Sequence, residues 1–396
     1  MNISIKHINN TFNYGSCMMA ITLINCINRE LENVKIFLDT STKEDINRIK
    51  LETNATNLYF DGYQQQSNLY DKVTTKIKRL ILEKYIDVII IIGGDDISEY
   101  YGIEALEKEL NKLKDLSINK KVILLGQTMG PFTEKRGKLA KDSLKNTKIY
   151  TRDDKCFDYL KELNFNNLIK GRDLAFLELP HQLKSKHILK KYNLIENDYF
   201  TIVPSGLTNC YTTNYNKYIN EQIEIIKKLL NNTRLINKNI VLLPHVLLPK
   251  HVDDRLVIRD IIKQIDEKYK SRIIAIDDAL LPSEAREILA NGIFTITGRM
   301  HAAVSTFYMR KPAISLSYSV KYAGVIGDGL DMNELVIESA NDSLWNEGKI
   351  SESVNEKVDF VLNNYEDLIH KIDINVSKTS KIVQEQLNDL IKELKK

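Results

Sequence analysis

Apolar positions along the chain switch repeatedly between two periods: the alternation or short unbroken run of a strand, and the three-to-four spacing of a helix. Ile3-Ser4-Ile5 alternates as a short strand. Residues 17–31 carry apolar side chains at helical spacing, and 34–38 return to a strand pattern. Residues 72–84 predict a helix with Val73, Ile77, Leu80 and Ile81 on one face. Val88 to Ile92 is apolar on both faces, as in a central parallel strand, and it ends in Gly93-Gly94. Helices over 103–113, 135–144 and 155–163 then alternate with strands over 122–125 and 148–150. The second half repeats the plan, with strands over 200–203, 239–243, 273–276, 293–297 and 313–316. Helices over 216–230, 252–269, 283–290 and 302–308 lie between them. Strand–helix alternation of this kind builds doubly wound α/β sheets. The reading is two Rossmann-like domains, 1–190 and 195–350, with a cleft between them. Residues 351–396 form a helical tail expected to pack back on the first domain. In such sheets ligands sit beyond the carboxyl ends of the strands, so the loops that follow strands are the ones to search.

Composition narrows the class. A length of 396 residues suggests roughly two to three domains. Hydrophobic residues at 43% and charged residues at 28% are ordinary for a globular chain and exclude collagen-like or largely disordered classes. A net charge of +3 gives no electrostatic case for nucleic acid. Cys17, Cys26, Cys156 and Cys210 show no CxxC spacing, which fits a reduced, cytoplasmic setting. The longest apolar run is too short to span a bilayer, leaving at most a peripheral contact with a membrane surface.

Chemistry concentrates in a few post-strand turns. Arg299-Met300-His301 follows a buried strand and opens a helix. A helix N-terminus offers free N–H groups and partial positive charge to an anion. Arg299 adds a planar donor fork and His301 a group that exchanges a proton near neutrality. Asp95 and Asp96, after Gly93-Gly94, are read as sugar-orienting acids, as a base, or as a cap for the next helix. Arg152-Asp153 reads either as a second anion-directed pair or as a salt-bridged helix start. His245 and Ser205 stand at further strand ends. No His/Cys/Asp cluster has metal-ligand spacing, and there is no GxGxxG, P-loop or GxSxG motif.

The order of these motifs resembles the polysaccharide pyruvyl transferase family. The resemblance is carried by Asn13-Tyr14-Gly15-Ser16, Gly93-Gly94-Asp95, Gly126 to Phe132, Arg152-Asp153 and Arg299-Met300-His301. Pro312-Ala313-Ile314 and the stretch from Tyr318 through Lys321 to Gly324 complete it. Ser16 stands where the family often has Asp, and the Gly93-Gly94 run is one glycine short. The resemblance implies a GT-B-like fold and transfer of the enolpyruvyl-derived group of phosphoenolpyruvate to two hydroxyls of one sugar, forming a ketal and releasing phosphate. On that reading His301 is the general acid, Asp95 or Asp96 the base, and Arg299 the anion clamp. Arg152, His245, Lys321, Ser205, Gly93, Gly94 and Asn13 are further substrate contacts. No cofactor is implied beyond the phosphoenolpyruvate donor. The acceptor is a glycan or lipid-linked oligosaccharide on the side of the first domain, which would bring the enzyme to the inner face of the membrane. Two other classes stay open: a nucleotide-sugar glycosyltransferase using Glu284 to hold a ribose, and a non-catalytic glycan-binding protein.

Overall fold

A computed structural model describes residues 1–61, 82–133 and 135–396. The helix expected over 72–84 lies, up to residue 81, outside the described residues. The chain divides into two compact units. One comprises Met1–Thr11, Ser16–Pro180 and Ser380–Lys396; the other comprises Phe12–Gly15 and His181–Thr379.

The first unit is built on a parallel sheet of seven strands. They are β1 (Asn2–Lys6), β2 (Lys35–Leu38), β3 (Leu58–Phe60), β4 (Val88–Gly94), β5 (Lys121–Gln127), β6 (Thr147–Thr151) and β7 (Leu168–Ile169). Their order is β3-β2-β1-β4-β5-β6-β7. β4 is central because Ile89, Ile90, Ile91 and Ile92 are buried on both faces, between β1 and β5. Each such side chain contributes about 1.5–3 kcal/mol of burial. Helices Ile103–Asn119, Arg136–Leu144 and Asp154–Glu162 supply Leu106, Leu110, Leu113, Ala140, Leu144 and Leu160 to one core layer.

The second unit has a parallel sheet of six strands: β8 (Tyr199–Val203), β9 (Asn239–Leu242), β10 (Ile273–Ala275), β11 (Thr295–Thr297), β12 (Ala313–Ser317) and β13 (Val336–Glu338). Their order, β10-β9-β8-β11-β12-β13, repeats that of the first six strands of the first sheet. Both sheets therefore have the doubly wound order, which reverses at β1/β4 and at β8/β11. Short, weakly patterned strands such as β3, β7 and β13 are absent from the sequence reading. Their runs of two or three residues carry too little periodicity to register.

The unit bounds differ from the sequence expectation at both ends of the second unit. Residues 181–190 belong to it, where Gln182 Nε2 donates to Glu287 Oε2 at 2.9 Å and Ser185 Oγ to Ser283 Oγ at 2.7 Å. Of the tail, residues 351–379 also belong to it. Val354, Val358 and Val361 are buried, and the Ser351 N–H donates to Glu221 Oε2 at 2.8 Å. The last part of helix Tyr365–Leu394 belongs to the first unit, where Asp389 accepts from the Tyr150 hydroxyl at 2.7 Å and pairs with Lys148 at 2.8 Å. Among the described residues no helix is long and apolar enough to cross a membrane.

Candidate active site

In the second unit, three strand ends converge on one carboxylate. β8 runs into Ser205-Gly206, β9 into His245-Val246, and β11 into Gly298-Arg299. Asp254, fully buried, opens the helix Asp254–Gln264. Its Oδ1 accepts from the Gly206 N–H at 2.7 Å and from Arg299 Nη2 at 2.6 Å. Its Oδ2 accepts from the N–H groups of His245 and Val246 at 2.9 and 2.8 Å. Arg299 Nε also donates to Oδ1 at 3.1 Å, and Nη2 to the Val252 carbonyl at 2.9 Å. Charge-assisted bonds of this kind are the strong ones. Burial alone would lower the guanidinium's proton affinity, but the Asp254 charge and hydrogen bonds outweigh it and raise it.

The Arg299 turn is fixed from behind as well. The Gly298 carbonyl accepts from the hydroxyls of Tyr211 and Tyr322 at 2.7 and 2.8 Å. Tyr211 packs against Tyr218, Tyr318 and Trp345, and the Tyr218 hydroxyl accepts from the Ser205 N–H at 2.9 Å. Burial pushes the phenols of Tyr211 and Tyr322 far up, so they stay protonated donors. Lys321 donates to the Tyr318 hydroxyl at 2.9 Å and lies 4.6 Å from its ring centroid, a cation–π contact.

Residues 12–15 supply the remaining wall. Asn13 forms an antiparallel bridge with Val246, the Leu247 N–H donates to the Phe12 carbonyl at 2.9 Å, and the Tyr14 N–H to the His245 carbonyl at 3.1 Å. The Tyr14 ring meets His245 edge-on at 5.4 Å. His301, partly exposed in the first turn of helix Met300–Tyr308, packs on Gly15. A β-carbon on Gly15 would lie 2.3 Å from His301 Nδ1, so only glycine fits beneath the imidazole. His245 is buried, and its Nε2 has no hydrogen-bond partner. Burial, then the charges of His301, Arg299 and Arg286, hold it well below the ordinary imidazole range, so it is neutral.

Six sequence-chosen residues thus fall in the second unit: His301, Arg299, His245, Ser205, Lys321 and Asn13. Asn13 is a correction, since it was expected on the acceptor side. Backbone pairing with Val246 draws it to the second unit. Arg299 commits its Nε and Nη2 to Asp254 and Val252. Ser205 is buried and its Oγ accepts from the Leu207 N–H at 3.2 Å, so it shapes its own turn.

Gly93 and Gly94 end β4 in the first unit, and Asp95 and Asp96 follow it. Gly93 is glycine for its neighbour strand, because a β-carbon would lie 2.5 Å from the Gly126 carbonyl oxygen. Arg152 is held by its own neighbours. It is buried, its Nε donates to Thr128 Oγ1 at 3.1 Å and Nη2 to the Gly94 carbonyl at 3.4 Å, and Nη1 lies 3.6 Å from buried Asp173. With Asp153 capping helix Asp154–Glu162, this is the salt-bridged helix start. Glu284 likewise caps its helix, accepting from the Leu281 N–H at 2.7 Å.

Sequence reasoning missed Asp254, which in the sequence is simply one of two adjacent acids. The neighbour Asp253 takes the cap, accepting from the Arg255 N–H at 3.0 Å, and so frees Asp254 for the hub. Among the described residues no group of three or more His, Cys, Asp or Glu could hold a metal ion.

The chain resembles solved UDP-GlcNAc 2-epimerases. One, from Neisseria meningitidis bound to UDP-GlcNAc, has a TM-score of 0.58 at 11% identity, covering 98% of this chain and 99% of that one. Another, from Methanocaldococcus jannaschii in complex with UDP-GlcNAc and UDP, has a TM-score of 0.58 at 14% identity, covering 92% and 93%. At these identities the likeness establishes the GT-B-like α/β fold class alone. The amylovoran biosynthesis protein AmsJ of Erwinia amylovora is 24% identical over 302 residues, covering 73% of this chain and 68% of AmsJ. The family model for polysaccharide pyruvyl transferase matches residues 13–320, a span that holds the strand-end turns on Asp254 together with Arg299 and His301. The chain belongs to the polysaccharide pyruvyl transferase family and is a transferase of polysaccharide biosynthesis.

Proposed function

We propose that the enzyme moves the enolpyruvyl-derived group of phosphoenolpyruvate onto two hydroxyls of one sugar in a surface polysaccharide or lipid-linked oligosaccharide precursor. The observation that carries this reading is the His301 imidazole on the first turn of a helix, beside a guanidinium locked by Asp254. A small donor with phosphate and carboxylate needs fixed N–H donors and positive charge, and its methylene needs an acid. Because Arg299 is half committed to Asp254, it orients the turn and offers the ligand only its remaining edge. Lys321 and the helix N–H groups supply further anion contacts.

His301 gives its proton to C3 of the donor, and C2 becomes electrophilic. One sugar hydroxyl adds to C2, phosphate leaves with the C–O bonding pair, and a second hydroxyl closes the ketal. Of the two hydroxyl protons, one restores that spent by His301 and the other leaves with phosphate. His245, neutral and buried, stays out of this exchange. Asp95 and Asp96 remain assigned to the acceptor side. No cofactor is required. Phosphoenolpyruvate is cytosolic, which places the reaction in the cytoplasm, at the inner membrane face when the acceptor is lipid-linked.

Purified enzyme given phosphoenolpyruvate and a panel of p-nitrophenyl glycosides should release phosphate and yield a product heavier by one pyruvate ketal. Stabilisation and turnover by UDP- or GDP-sugars, with no phosphate release from phosphoenolpyruvate, would instead establish a glycosyltransferase.

A further inference from the structure

We propose that Tyr100, on the braced turn after β4, is the platform on which the first unit stacks a pyranose ring of the glycan acceptor, with Asp96 in the same loop taking the ring's hydroxyls. This rests on the glycan acceptor of the reading above and involves residues of the first unit alone.

The chain leaves β4 through Asp95 and Asp96, makes a short turn over Glu99–Tyr101, and enters the helix Ile103–Asn119. Ligands of open parallel sheets sit at this end of the strands, and strand order reverses here between β1 and β4. The turn is held from inside. Ile97 is 1% exposed, and its carbonyl accepts from the Gly130 N–H at 2.9 Å. Ser98 Oγ donates to the Asp95 carbonyl at 2.7 Å. The Glu99 carboxylate accepts from the Thr133 N–H and hydroxyl at 2.6 and 2.8 Å and from Arg136 Nε at 2.6 Å. These bonds brace the turn after β4 against the segment after β5.

Between the anchors, Tyr100 is 57% exposed, and Ile103 is 46% exposed. Apolar side chains exposed singly need no explanation; here two share one braced turn at the sheet end that carries ligands. Gly102 leaves bare surface between them. Its φ is +104°, and a β-carbon there would meet nothing within 4 Å among the described residues.

Asp96 supplies the polar half. Its side chain is 55% exposed, with Oδ2 3.3 Å from His7 Nδ1. His7 is itself held by Asp39, whose two oxygens accept from the His7 and Ile8 N–H groups at 2.8 and 2.9 Å. A pyranose has a face of C–H groups and a rim of hydroxyls. A tyrosine ring receives the C–H face at low entropic cost, because its side chain has only two torsions. An ionised carboxylate accepts hydrogen bonds from the hydroxyls. Small-molecule sites combine an apolar wall with a few placed polar groups in this way. Tyr85 is the internal contrast. It is 64% exposed but precedes β4, at the opposite end of the sheet, where no ligand is expected.

The test is direct binding of a panel of methyl pyranosides to the full-length enzyme, read by saturation-transfer NMR without phosphoenolpyruvate. At least one sugar should bind the wild type. Tyr100→Ala should weaken that sugar about 3- to 10-fold, the range of an aromatic contact, and Asp96→Asn should weaken it as well. Tyr100→Phe, which keeps the ring, and Tyr85→Ala should not. Melting temperatures should match throughout. Unchanged sugar affinity in Tyr100→Ala, an equal loss in Tyr100→Phe or Tyr85→Ala, or a wild-type enzyme that binds none of the panel would each overturn the inference. Phosphate release from phosphoenolpyruvate, measured separately, decides the ketal-transfer reading, so the two failures are told apart.

Discussion

The two points where strand order reverses solve opposite problems with the same topology. At β8/β11 the polar groups are sealed in: Asp254 is 0% exposed, His245 1% and Arg299 7%. At β1/β4 the pair His7 and Asp96 stands open, and only the backbone beneath it is locked, by Asp39. Buried charges that satisfy one another hold a rigid frame, whereas an exposed pair on a constrained backbone keeps its polar atoms available. The same contrast separates the two strand-end arginines. Arg152 and Arg299 both precede a helix and both meet a buried aspartate. Only Arg299 has a histidine two residues on, in the first turn of the helix.

The largest effect should come from His301, the partly exposed imidazole on the closed frame. His301→Ala should lower turnover with phosphoenolpyruvate about 10²- to 10⁴-fold, each tenfold being about 1.4 kcal/mol. Thermal melts should be unchanged; a variant with full steady-state phosphate release removes His301 from the mechanism.

Next in size, Asp254→Ala strands a buried guanidinium and should cost about 3–5 kcal/mol in urea unfolding. Asp96→Ala, in the open pair, should shift the same curve by less than about 1 kcal/mol. Equal shifts would erase the distinction between the two regions.

Gly15→Ala and Gly93→Ala each force a β-carbon onto a close neighbour and should each cost about 1–3 kcal/mol. Gly15→Ala should in addition depress turnover beyond its stability loss, because its neighbour is the His301 ring. Gly93→Ala presses on the Gly126 carbonyl and should leave phosphoenolpyruvate affinity intact. Calorimetry on both variants decides the matter.

The smallest effect is a pH dependence. Folded His245 is held neutral, its pKa far below the ordinary imidazole value of about 6.5. Below that pH the unfolded chain binds one more proton than the folded one. This contribution to stability is complete above about pH 6.5 and is lost as pH falls, by up to about 1.4 kcal/mol per unit. Urea midpoints of His245→Phe should decline less steeply than wild type between pH 7 and 5.

Much of the architecture was legible in sequence because it is written locally. The apolar run of β4 and the helix periods on either side need only neighbouring residues to be read. The Arg299-Met300-His301 turn was legible for the same reason, since three adjacent residues carry its chemistry. Gly15 was quoted in a motif, but its contact with His301 could not be seen across the intervening chain. Arg152 and Arg299 were indistinguishable, because what separates them is the company each keeps after folding.

The sequence by itself determined two strand–helix alternating halves and the turns worth searching, because periodicity and turn chemistry act over a few residues. Only the tertiary structure decided which groups are free to react. It routed residues 12–15 to the second unit, gave Asp254 to an arginine 45 positions away, and set His7 against Asp96. Those choices depend on parallel strands that bring distant segments side by side, and on burial that compels each enclosed charge to find a partner.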